Sequence, residues 1–123
     1  MALTEENKAQ MDFDHFEYML KFGTNYEHAP TGTEQRIAYE LGDDVCKNVL
    51  KMINKINSDS VTIDKKKDPV KMFVCLKLLM ENGHMYNNFC DGTCEKDAFN
   101  MRQSERNKVL HMIDIIIKFN PFQ

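Results

Sequence analysis

The sequence predicts an all-α protein, a small bundle of four to five helices, and three observations carry that expectation. From 36 to 56 apolar side chains fall at Ile37, Leu41, Val45, Val49, Met52, Ile53 and Ile56, a spacing of three and four. That spacing lines one face of a helix and fits no strand. Between 72 and 80, eight of nine residues are apolar and only Lys77 interrupts them. Between 109 and 117, seven of nine are apolar, while Asn107, His111, Asp114 and Lys118 step by four, three and four. This leaves one narrow polar stripe on an otherwise apolar helix.

The first helix is expected over 4–22. Thr4 is its cap, Glu5 and Glu6 occupy its first turn, and Phe13, Phe16, Met19 and Leu20 form its inner face. Gly23 stands just past its end. A loop with Pro30 and Gly32 follows, and Thr31 or Thr33 caps the second helix. Gly42 interrupts that helix, at about 1 kcal/mol relative to Ala. It marks either a close helix crossing or a break into two pieces.

The segment 57–68 is a polar connector with three consecutive lysines, in which Val61, Thr62 and Ile63 form a short extended piece. Asp68-Pro69 is a helix start, with Asp as cap and Pro at the first position. The third helix runs to about Glu81, where Asn82-Gly83 ends it. A helix apolar all round is expected to be buried on all sides. The segment 84–97 is polar and turn-rich. The fourth helix starts near Lys96 or Asp97 and ends at Phe119, ahead of Pro121.

No internal repeat and no second domain are expected, so residues 1–123 form one domain, long enough to bury a core without metal or disulfide staples. Apolar residues make up 42% and charged residues 28%, ordinary values for a globular chain. No apolar run is long enough to cross a membrane, and the polar, acidic N-terminus lacks the pattern of a secretory signal. A cytoplasmic or nuclear protein with reduced thiols is the expectation. The net charge of −3 conceals −7 through Asp44 and +4 beyond it. The acidic half argues against indiscriminate nucleic-acid binding.

Two strongly apolar helices exceed what one small bundle is expected to enclose, and large apolar patches are seldom left uncovered. The nine methionines suit an adaptable docking surface. The sequence therefore points to a non-catalytic interaction module, an adaptor or inhibitor, that binds a protein partner or forms a homodimer. The expected interface residues are Met112, Ile113, Ile116, Phe119, Met72 and Leu76.

An alternative is a small metal-binding or redox protein centred on Cys90 and Cys94, with His84 as third ligand. Zinc would be the metal, and a fourth group would come from the fold. A third reading is a helical nucleic-acid-binding domain in which Lys96, Arg102, Arg106 and Lys108 touch phosphates. The stretch from 11 to 20 has the look of a calcium-loop exit helix. It lacks the upstream oxygens and the bend glycine, and His15 stands where the bidentate Glu belongs. His111 and Asp114 can pair on one helix face, but no positioned nucleophile accompanies them. No catalytic motif is present, and no enzyme is expected.

Overall fold

The computed structural model describes residues 5–59 and 69–118. Six α-helices and no strand occur among them: α1 (Glu5–Phe22), α2 (Glu34–Leu41), α3 (Asp43–Asp59), α4 (Pro69–Asn82), α5 (Cys94–Asn100) and α6 (Gln103–Lys118). The all-α class stands, with one helix more than the upper expected count. The caps at Thr4 and Asp68, the extended piece at Val61 to Ile63, and Phe119 lie outside the described residues.

Both extra breaks have local causes. Gly42 takes φ 87° and ψ 160°, a region only glycine enters readily, so the second predicted helix divides into α2 and α3. The fourth divides at Met101, which is extended at φ −73° and ψ 150°. Glu105 then restarts the helix by accepting the backbone N–H of Arg102 at 2.8 Å, one half of a capping box. Thr33 is the cap of α2, its hydroxyl accepting from the Arg36 N–H at 3.2 Å.

The expectation of no repeat is overturned. The element order of the first half, a long helix, a 3-10 turn, two tight turns, a short helix and a long helix, recurs 60 residues later. Phe13, Gly23, Tyr26, Gly32, Thr33 and Ala38 correspond to Phe73, Gly83, Tyr86, Gly92, Thr93 and Ala98. In the last helices Val49, Leu50, Met52, Ile53 and Ile56 correspond to Val109, Leu110, Met112, Ile113 and Ile116. Bonds recur as well. Thr93 caps α5 through the Lys96 N–H at 3.1 Å, as Thr33 caps α2. Arg36 donates to the carbonyl of Glu27, and Lys96 to that of Asn87.

The two halves interlock. Short helix α2 of the first packs on α6 of the second, and α5 packs on α3 in return. Helices α1 and α4 meet at the centre, where the equivalent rings of Phe13 and Phe73 lie edge to face with centroids 5.2 Å apart. One apolar cluster runs through both halves.

Buried glycines permit close approaches within each half. A Cβ on Gly23 would lie 2.9 Å from the carbonyl oxygen of Ala38, and one on Gly83 would lie 2.4 Å from Cδ of Arg106. Arg106 is 4% exposed and caps the C-terminal end of α5, donating from Nη1 to the carbonyls of Ala98 and Met101, each at 2.7 Å. A cation there also meets the negative end of the helix dipole.

Candidate interaction face

The expected interface residues lie mostly in the core. Met112, Ile113 and Leu76 are 0% exposed, Met72 3% and Ile116 4%, so a folded chain cannot present them to a partner. The inward face of α6 is consumed by α1, α2 and α4, and its polar stripe at Asn107, His111, Asp114 and Lys118 faces solvent as its spacing predicts.

Helix α4 corrects a second expectation, because it is not buried on all sides. Val70 is 55% exposed, Val74 51% and Leu78 51%. They step by four along one side of the helix and form an uncovered apolar ridge. Concavities flank it. One, of about 390 Å³, is bounded by Ile56, Leu78, Leu79, Tyr86 and the two thiols Cys75 and Cys94, with Lys71 and Glu95 at its margin. The other, of about 380 Å³, is bounded by Val70, Phe73, Val74, Ala9 and Ile117, with Lys8, Asp12 and Lys77.

The first half supplies an internal control. The residues equivalent to Val70, Val74 and Leu78 are Gln10, Asp14 and Tyr18. There Gln10 donates to Asp14 at 2.8 Å, a polar, solvated arrangement, and the exposed rings of Tyr18 and Phe22 lie tilted against each other with centroids 4.6 Å apart. Exposed Met85 and Phe89 likewise stand where the first half has Asn25 and Ala29. The same backbone thus carries two polar residues and Tyr18, which is as exposed as Leu78, in one half and three aliphatic residues in the other. Geometry of the fold does not require the apolar version.

Ionisable groups nearby are tied into the structure. Lys8 donates to Asp12 and to the carbonyl of Ile117, each at 3.2 Å. Burial raises the Asp12 carboxyl above its ordinary range, and Lys8 offsets this only in part. Burial also pushes the Cys46 thiol up to about 11, so that sulfur is inert at neutral pH.

The proposed metal ligands do not assemble. Among the described residues no three His, Cys, Asp or Glu side chains form a group that can hold a metal. Cys90 and His84 are exposed, whereas Cys94 turns inward and lies 3.7 Å from the carbonyl of Met52. All four cysteines are unbridged. The thiol that shares a concavity with Cys94 is Cys75, not Cys90.

The nucleic-acid set disperses too. Arg106 is buried as a helix cap, Lys96 lies over the Phe99 ring at 4.9 Å, and Lys108 reaches toward Glu40 at 4.0 Å. Arg102 remains exposed. No helix among the described residues is long and apolar enough to cross a membrane.

Sequence inspection missed Val70, Val74 and Leu78 because the flanking apolar residues hide their four-residue step. Alignment of the chain on itself at an offset of 60 shows the change from polar to apolar directly. Comparison with known proteins finds no family model that matches this chain and no curated protein or solved structure similar to it.

Proposed function

We propose that the protein is a non-catalytic interaction module that self-associates through the outer face of α4. The observation that carries this reading is the aliphatic ridge Val70, Val74 and Leu78, uncovered where the equivalent face of α1 bears Gln10, Asp14 and Tyr18. A ridge with a four-residue step packs into the groove beside the same ridge on a second helix, with the axes crossing at about −50°. Here such a groove lies on either side of the ridge.

Charge selects an antiparallel second copy. With Val74 of each chain against Leu78 of the other, Lys71 of each faces Glu81 of the other, and both pairs form at once by symmetry. Covering a half-exposed aliphatic side chain contributes about 1 kcal/mol, so the six from two copies give about 6 kcal/mol. That lies near the low end of the cost of association, about 4–15 kcal/mol. The surplus is about 2 kcal/mol at most, and two surface ion pairs add up to about 1 kcal/mol each, so the dimer is weak, with a dissociation constant of about a millimolar or above.

Sedimentation equilibrium across a dilution series from millimolar to micromolar chain tests this. The wild type is expected to be partly dimeric at the millimolar end and monomeric at the micromolar end. Val74→Asp and Leu78→Asp are expected to remain monomeric throughout with unchanged helicity. Asp14→Ala, at the equivalent place on α1, is expected to behave as wild type. A wild-type chain that stays monomeric at millimolar concentration overturns the proposal.

A further inference from the structure

One place beside the long first helix of each half is plugged in the first half and open in the second. In the first half His15 and Glu34 meet there, with His15 Nε2 3.4 Å from Glu34 Oε1. Burial raises the Tyr26 hydroxyl above its ordinary value, and Tyr18 and Glu34, close by, raise it further. The equivalents of His15, Tyr18 and Glu34 in the second half are Cys75, Leu78 and Cys94, all shorter. The thiols are too short to meet as the imidazole and carboxylate do. A concavity of about 390 Å³ stands there instead, walled by Ile56, Leu78, Leu79 and the ring of Tyr86. That is the small end of the range for sites that take small molecules. Unionised thiols add to the apolar character of its wall.

Two charged side chains stand at the margin, Lys71 and Glu95. Lys71 has an interaction of its own. Glu95 is half-buried in the first turn of α5 and makes no hydrogen bond or ion pair with the described residues. The charge left to pair with a ligand is therefore a carboxylate. We propose that this concavity binds a small aromatic amine in its protonated form, with the ring against Ile56, Leu78, Leu79 and Tyr86 and the ammonium against Glu95. The plug of the first half is of the same chemistry, an aromatic nitrogen base against a carboxylate. Apolar walls strengthen a charge-assisted hydrogen bond at their edge by thinning the water around it. A tyrosine ring also attracts a cation, which an anionic ligand of the same shape would forgo.

The test is a titration of the isotope-labelled full chain, at micromolar concentration, with phenethylamine, followed by amide NMR shifts. Self-association through α4 is absent at that concentration, so the two proposals fail or stand separately. Shifts are expected at Ile56, Leu79 and Cys94. Hydrocinnamate, an anion of similar shape, is expected to bind at least tenfold more weakly. Glu95→Gln, which matches Gln35 of the first half, is expected to weaken amine binding at least tenfold. The double variant Cys75→His, Cys94→Glu rebuilds the plug and is expected to abolish binding, with thermal unfolding showing that the fold survives. Should it fail to fold, Leu78→Tyr, at an exposed position, narrows the same concavity and takes its place. The proposal is overturned if millimolar phenethylamine produces no shifts at these residues. It is also overturned if hydrocinnamate binds as tightly, or if the plugged variant binds like the wild type.

Discussion

Two buried side chains show how single residues set tolerances in this molecule. Gly83 lies against Arg106, whose Nη1 is held by the carbonyls of Ala98 and Met101 and whose Nη2 is held by Gln103 Oε1, so the side chain resists retreat from an added methyl. Gly23 faces a backbone oxygen instead. Gly83→Ala and Gly23→Ala are each expected to destabilise the fold by about 1–3 kcal/mol, read from the midpoint of denaturant unfolding. Asp12 makes a prediction of opposite sign. Its folded carboxyl holds a proton to higher pH than its ordinary value of 3.8 allows, because burial outweighs the attraction of Lys8. The folded state therefore binds more protons between those two values, and stability falls as pH rises through that window. Asp12→Asn is expected to remove this slope and to be no less stable than wild type at neutral pH, measured by thermal unfolding from pH 4 upward.

At the level of elements, the break between α2 and α3 depends on one backbone conformation. Gly42 has open space around it, so an added Cβ meets no clash, and the cost of substitution comes from its positive φ alone. Gly42→Ala is expected to cost about 1–3 kcal/mol. Arg102→Ala at the equivalent position is expected to cost far less, because the second half makes its turn through extended Met101 rather than through a positive φ. Comparing the two variants in one denaturation series checks this assignment. The same comparison between halves applies to α1 and α4, which share a backbone role and differ on their outer faces.

Taken whole, the molecule is two similar halves that cannot be pulled apart without exposing core. Because α2 rests on α6 and α5 on α3, each half completes the other. Unfolding is accordingly expected to be a single cooperative transition, with far-UV and near-UV circular dichroism following one curve. Two separated transitions would show halves that are independently stable, contrary to the interlocked packing.

The chain's own periodicity determined the all-helical class, the inward faces of α1, α2 and α3 and the polar stripe of α6, because these follow from neighbours three or four residues apart, and residue type narrowed the α2 cap to Thr31 or Thr33. It also determined that Gly42 is a special position. What the tertiary structure alone decided was which apolar residues have a partner. Met72, Leu76 and Met112 are enclosed, while Val70, Val74 and Leu78 in the same crowded stretch are not. Likewise Cys94 lies in one concavity with Cys75 rather than with nearby Cys90. Hydrophobicity is a property of each residue, but burial depends on what another part of the chain places against it, and here the covering elements come from both halves.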